Sequence, residues 1–301
     1  MNGIINIYKE NGYTSHDVVA KLRGILKQKK IGHTGTLDPA ALGVLPVCLG
    51  NATRVCELLT DREKTYVAVM KLGITTDTQD MTGKVLTEGS VEVTEETVRQ
   101  SVLSFEGDYD QVPPMYSALK VNGKKLYELA RAGREVERKP RPVHIYNIHI
   151  NEINLNEQEV VFEVTCSKGT YIRTLCHDIG EMLGCGACMA SLIRTKVGPF
   201  VIEESHTLGE VEAMVSRGRI EDIVLPVDRL FEAYPAFRVL PEAEKLLRNG
   251  NEMETAMGVL LQGGELGDGE SIRIYDSNGT FQAIYRLDAG RGVIKPVKMF
   301  L

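Results

Sequence analysis

Apolar positions along the first quarter of the chain repeat at helical spacing: Val18, Val19, Leu22, Ile25 and Leu26 share one face. They predict a helix starting near Ser15, which can cap it, with Asp17 suited to the positive end of the helix dipole. From Thr65 to Leu72 the period drops to two, with Tyr66, Ala68 and Met70 alternating against Val67, Val69 and Lys71. That is a strand, and it sends Tyr66 to one definite face. Residues 94–105 read as a helix. Strands are predicted near 143–153 and 159–167, followed by a turn at Lys168-Gly169. Ile172, Leu175, Ile179, Met182 and Leu183 then mark a helix that stops at Gly184. Between Gln111 and Arg141 the chain is polar and basic, punctuated by Pro113, Pro114, Gly123 and Gly133. It reads as an insertion with a short helix around Leu126 to Ala130.

Past Pro226 and Pro235 the pattern changes to short strands: Gly258–Leu261, Ser271–Tyr275, Thr280–Leu287 and Val293–Met299. Asn278-Gly279 is a strong hairpin signal between two of them. The expected organisation is a mixed α/β domain over residues 1–235, with its insertion at about 115–142, and a small β domain over 236–301.

A chain of 301 residues, 43% hydrophobic and 25% charged, is long enough for two such domains. No apolar run approaches the length of a membrane helix, and the apolar start Met1–Ile7 is short for a signal peptide and lacks a basic leader. A cytoplasmic protein with no membrane partner is expected. The six cysteines are then read as reduced, and the lone Cys185-x-x-Cys188 lacks the second ligand pair of a zinc site. The net charge of -6 argues against a generic nucleic-acid binder, yet binding needs only a local patch. Two segments offer one: Lys21, Arg23, Lys27, Lys29 and Lys30, and the stretch Lys120–Arg141 with Lys124, Lys125, Arg131, Arg134, Arg138 and Lys139. Either can equally be a solvated helix face.

Candidate chemistry concentrates in Gly32–Pro39, G-H-T-G-T-L-D-P. Its only apolar side chain is Leu37, its only carboxylate Asp38 and its only imidazole His33. So polar a segment reads as a loop, where a scaffold presents reactive groups. Asp38-Pro39 has a second reading, a helix start with the carboxylate as cap and Pro at the first helical position. The glycines admit a phosphate, but no Lys-Ser/Thr follows as in a P-loop. Tyr66 in K-T-Y-V and Tyr171 in K-G-T-Y-I-R are core packing or stacking surfaces. Arg173 opens a helix, where the dipole disfavours a cation, so a carboxylate partner is expected. If that partner is Asp38, the pair keeps Asp38 ionised and oriented.

The octet, preceded by S-H-D-V-V and followed by G-V-L-P-V, resembles the catalytic signature of the TruB family of tRNA pseudouridine synthases. The same holds for V-P-P-M-Y-S-A-L-K-V-N-G-K-K-L-Y-E-L-A (Val112–Ala130), C-S-K-G-T-Y-I-R-T (Cys166–Thr174) and G-E-M-L-G-C-G-A (Gly180–Ala187). These blocks stand in the family's order and reach at least Pro226, while the tail resembles a short PUA-like RNA-binding module in a vaguer way. The resemblance implies an α+β pseudouridine synthase fold: a mainly antiparallel mixed sheet with flanking helices and a thumb insertion, plus a β-rich C-terminal domain. It implies isomerisation of uridine 55 in the tRNA T-loop to pseudouridine, with no cofactor and no metal, by a monomer needing no protein partner. In that family Asp38 would be the catalytic aspartate, attacking C1′ or abstracting a proton from C2′. Tyr66 would stack on the target base and could act at C5. Tyr171, Arg173 and Leu192 would line the pocket, and His33 would fill the space the flipped base leaves. Ser15, Lys120, Lys124 and Lys125 are further RNA-contact candidates, and the C-terminal domain could reach the acceptor stem. Flipping the base costs a few kcal/mol, which stacking on one aromatic, about 1–3 kcal/mol, can largely offset. Two other readings compete: a guide-RNA-dependent synthase of the dyskerin type, and a tRNA folding chaperone with no required catalysis.

Overall fold

Two large sheets, with two small two-stranded ones, organise the chain in the computed structural model, which describes residues 1–121, 123–262 and 266–301. The larger sheet has nine strands: β1 (Gly3–Lys9), β2 (Ile31–His33), β3 (Leu42–Leu49), β4 (Lys64–Leu72), β5 (Gly107–Gln111), β6 (Arg141–Asn154), β7 (Glu159–Cys166), β8 (Ala187–Val197) and β9 (Phe200–Val201). Its main path runs β1-β3-β8-β4-β7-β6-β5, with β2 paired to β3 and β9 to β8. All pairings are antiparallel except β3–β8, so the sheet is mixed but mainly antiparallel.

Four helices matter here: α1 (Ser15–Leu26), α2 (Glu95–Leu103), α3 (Ile172–Leu183) and α4 (Leu208–Ser216). The inward face of β4, with Tyr66, Ala68, Met70 and Leu72, packs with β7 against α2 and α3 in the main core. Helix α3 stops at Gly184 in the left-handed conformation, φ 73°. Helices α1 and α4 cover Ile5 and Ile7 of β1 and Leu45, Val47 and Leu49 of β3. The alternate β3 residues, Val44 and Cys48, face a third cluster with Phe231, Ile284 and Phe300, which joins the C-terminal module. β3 is therefore apolar on both sides.

The parallel pairing of β3 with β8 sets Gly43 beside Arg194. Gly43 has φ 100°, and a Cβ there would lie 2.2 Å from the Arg194 carbonyl oxygen. Only glycine meets both demands.

Ala236–Val239, Met253–Glu254, Gly258–Gln262, Ser271–Tyr275, Phe281–Asp288 and Val293–Met299 form the second, six-stranded sheet, a β-rich C-terminal domain. The turn at Asn278-Gly279 joins two of its antiparallel strands. Within 112–140 stand a hairpin of Lys120–Val121 with Lys124–Lys125 and a short helix, Leu126–Arg131. Among the described residues no helix is long and apolar enough to cross a membrane.

Two local expectations are corrected. Helix α1 is capped by Thr14, not Ser15. Thr14 Oγ1 accepts from the Asp17 amide while the Asp17 carboxylate accepts from the Thr14 amide, a reciprocal box that needs an acid three residues after the cap. No helix starts at Pro39. Asp38 to Ala41 form a tight turn closed by the Ala41 amide on the Asp38 carbonyl at 3.0 Å. The apolar run after it is taken by β3, so too few residues remain for helical turns, and Asp38 is not a helix cap.

Candidate active site

The octet leaves the sheet after His33 and is fixed at several points along its length. The Thr34 amide donates to the Pro46 carbonyl at 3.2 Å, and the Pro39 carbonyl accepts from the Gly12 amide and Lys9 Nζ, both at 3.1 Å. Leu37 enters the main core. Its amide donates to Ser15 Oγ at 2.9 Å. Asp38 thus stands between a buried leucine and a doubly held carbonyl, while 42% of its own side chain remains exposed.

Ser15 is 0% exposed, so the expectation that it touches RNA is wrong. Its hydroxyl braces the octet from below, because the Leu37 amide would otherwise be buried unpaired. Ser15→Ala should destabilise the fold by about 1–3 kcal/mol and slow the reaction, while tRNA affinity stays within about twofold. Urea denaturation and a filter-binding titration measure the two. A large loss of affinity at unchanged stability would restore Ser15 to the RNA surface.

The cation at the start of α3 has its partners. Arg173 Nη2 lies 3.3 Å from Asp38 Oδ2 and donates to the Tyr116 carbonyl at 2.7 Å. Arg173 Nη1 lies 3.7 Å from Asp80 Oδ2. The arginine side chain is only 6% exposed. Helix α3 has no acidic residue in its first turn, so carboxylates from two other segments compensate the misplaced charge. Asp80 is fixed in turn: its Oδ1 accepts from Thr78 Oγ1 and the Thr82 amide, each at 2.9 Å, and from Thr82 Oγ1 at 2.5 Å. A guanidinium so held presents one nitrogen to Asp38 in a defined direction, which orients the carboxylate.

The Tyr171 ring lies 5.7 Å from the Arg173 guanidinium carbon, a cation–π contact. Gln111 grips its backbone: the Tyr171 amide donates to Gln111 Oε1 at 2.7 Å, and Gln111 Nε2 donates to the Tyr171 carbonyl at 3.0 Å. Tyr66 and Leu192 sit on adjacent strands facing the same core, with Leu192 opposite Ala68 in register. Burial pushes the Tyr66 phenol up, against the opposing charge of Arg194. Burial likewise raises Tyr171. His33 stands at the far end of the octet. Its ring lies edge-on to His16 at 5.3 Å, and its Nδ1 accepts from the Gly35 amide at 3.4 Å. Burial, aided by His16, lowers its pKa, so it is neutral at physiological pH. Arg173 contacts Asp38, and Tyr66 and Tyr171 lie within reach of its charge, while Lys120, Lys124 and Lys125 are on the hairpin of the insertion. Lys120 and Lys124 are exposed, and Lys125 Nζ lies 5.4 Å from the centre of the Tyr127 ring.

Four participants escaped the sequence reading: Asp80, Gln111, Lys9 and Arg194. Asp80 and Gln111 are carried by polar segments with no periodicity. Lys9 and Arg194 had a signal, each being a charge in an apolar run, on strands the reading did not identify. Among the described residues no group of three or more His, Cys, Asp or Glu side chains could hold a metal ion.

Residues 23–172 match the model of the TruB family pseudouridylate synthase N-terminal domain, and residues 173–232 that of the tRNA pseudouridylate synthase B C-terminal domain. A tRNA pseudouridine synthase B of Lachnoclostridium phytofermentans is 54% identical with all of both chains covered. That of Bacillus subtilis is 43% identical over 100% of this chain and 98% of its own. A solved chain from an H/ACA ribonucleoprotein bound to a substrate RNA containing 2′-deoxyuridine is 28% identical with a TM-score of 0.72, over 99% of this chain and 85% of that one. With a fold, a set of motifs and full-length relatives that agree, the chain belongs to the TruB family of pseudouridylate synthases, isomerases that act on tRNA.

Proposed function

We propose that Asp38 is the carboxylate with which this isomerase converts uridine 55 of the tRNA T-loop to pseudouridine. The observation that carries the reading is the Asp38–Arg173 pair: a carboxylate half-open to solvent, held by a guanidinium that is almost wholly buried. Two routes use it. In one the carboxylate attacks C1′; in the other it removes a proton from C2′ to give a glycal. Each requires an ionised, oriented carboxylate at the ribose.

In this reading the uridine is flipped out of the T-loop and stacks on Tyr66, with Tyr171 and Leu192 closing the pocket. Stacking of about 1–3 kcal/mol offsets much of the few kcal/mol spent in extruding the base. His33, neutral at the rim of the octet, fills the space the base vacates. Lys120, Lys124 and Lys125 grip phosphates from the thumb, which we place at about 115–142. The chain divides at about 235: residues 1–235 are the catalytic domain, and 236–301 a PUA-like module that reaches toward the acceptor stem. The protein works as a monomer in the cytoplasm without a protein partner or cofactor.

Phosphate contacts release counterions, so tRNA affinity should fall by about two orders of magnitude or more between roughly 50 and 200 mM salt. Affinity that stays flat over that range would remove the lysines from the interface.

The likeness to H/ACA ribonucleoprotein chains sustains a second reading, in which a guide RNA chooses the substrate. An isolated T-arm hairpin incubated with this chain alone separates the two. Pseudouridine in the hairpin supports recognition by the protein itself, whereas a requirement for guide RNA and protein partners supports the rival.

A further inference from the structure

The octet rests on buried positive charge that the reaction scheme above does not use. Lys9, Lys64 and Arg194 are 0%, 6% and 1% exposed. Lys9 Nζ donates to the carbonyls of Pro39 and Glu10, and Lys64 Nζ to those of Thr60 and Arg62. Arg194 Nε donates to the Val44 carbonyl at 2.7 Å, and its Nη2 to the Gly35 carbonyl at 3.4 Å. Among the described residues the carboxylates of the site, Asp38 and Asp80, pair with Arg173 and not with these three.

Arg194 differs from the two lysines in its position. It faces Tyr66 directly across the β8–β4 pairing, and side chains directly opposed in an antiparallel pair lie on the same face, with Cβ atoms about 5 Å apart. The fixed charge thus sits behind the surface on which the target base stacks. A guanidinium buried without a counter-ion is unfavourable for folding, and a neutral donor would tie the same two carbonyls with less penalty. Chemistry gives the charge a use. When the N1–C1′ bond breaks, its electron pair stays with the base, which becomes a uracil anion. The anion turns over, C5 bonds to C1′, the C5 proton departs and N1 regains one. A preorganised cation in a water-poor site favours the anionic stage.

We propose that Arg194 is a positioning residue for Tyr66, and that its buried charge stabilises the uracil anion formed on that surface. The inference rests on the roles given above to Asp38 and Tyr66.

Two variants test it, Arg194→Gln, which keeps a donor and loses the charge, and Arg194→Lys, which keeps the charge. Under single-turnover conditions with excess enzyme, Arg194→Gln should react about 100-fold more slowly than the native protein. Its tRNA affinity should stay within about threefold, and its denaturation midpoint should be no lower than that of Arg194→Lys. Arg194→Lys should stay within about tenfold at about pH 7 and then lose rate relative to the native protein toward about pH 9, as its amine deprotonates. Burial holds the neighbouring Lys9 and Lys64 amines down at about 8, and the new lysine would share that environment. The titratable groups that interact with it are Tyr66 and Lys64 on β4, Lys9 on β1 and His33 on β2. All are present in the native protein too, so the variant-to-native ratio cancels their titration.

Equal rates for the Gln and Lys variants, or a ratio flat from about pH 7 to about pH 9, would overturn the proposal. If Arg194→Gln does not fold, the ratio for Arg194→Lys decides alone. Asp38→Asn run alongside separates the two levels. Isomerisation by that variant defeats the catalytic reading, whereas an inactive Asp38→Asn beside a fast Arg194→Gln defeats only the role of Arg194.

Discussion

Asp38→Asn should abolish pseudouridine formation, by roughly 10⁴-fold or more, while tRNA binding stays within about threefold. Asparagine keeps the shape of the side chain and the turn that carries it, since that turn is closed by backbone atoms. It cannot act as a nucleophile or as a base at the ribose. The fold should hardly notice. Asp38 is the half-exposed member of its ion pair, and Arg173 retains Asp80 and the Tyr116 carbonyl, so the change in stability should stay within about 1 kcal/mol. Quench-flow rates, a binding titration and a thermal melt on one preparation give the three quantities. A variant that binds tRNA but still isomerises would move the catalytic role to another residue. One that fails to bind would make Asp38 a recognition group.

Arg173→Met has the next largest expected effect and a different signature. Removing the cation strands Asp80, whose side chain is 12% exposed, and breaking a buried pair from one side costs about 3–5 kcal/mol. The rate should fall by about 10³-fold. Quench-flow rates and a tRNA-binding titration on one preparation check it. A loss of affinity that matches the loss of rate would mean that Arg173 holds the substrate and does not orient Asp38.

Helices and strands with one buried face were readable because their period survives in the sequence: the faces of α1 and α3, and the alternation of β4. Strands β3 and β8 were not. β3 buries both faces, so its residues Leu42–Leu49 show no alternation. The pairing of β8 shifts register between Met189 and Ser191 and again between Arg194 and Lys196, which breaks its period where Arg194 turns inward. That Arg173 needs a carboxylate partner was legible from electrostatics alone, as a cation at the wrong end of a helix dipole, whereas Asp38 as that partner stood only as a condition. The second partner, Asp80, was not legible, because a turn of Thr78, Asp80 and Thr82 reads like any solvated loop until the chain folds it under the arginine. The Thr14 cap was one residue from the expected position, and the acid three residues after Thr14 could have fixed it. Ser15 shows the limit of local reading. Its role is set by an amide 22 residues away, and nothing near it in the chain announces that partner.

Tritium release gives the most direct test that this chain alone rearranges uridine 55. A tRNA transcript carrying tritium only at C5 of that uridine is incubated with the purified protein, without guide RNA, added metal or partner proteins. Forming the C5–C1′ bond expels the C5 hydrogen, so release should approach one tritium per tRNA and vanish with Asp38→Asn. Absence of release from the labelled position, while the protein binds the transcript, would contradict the assignment of this chain as the isomerase acting there.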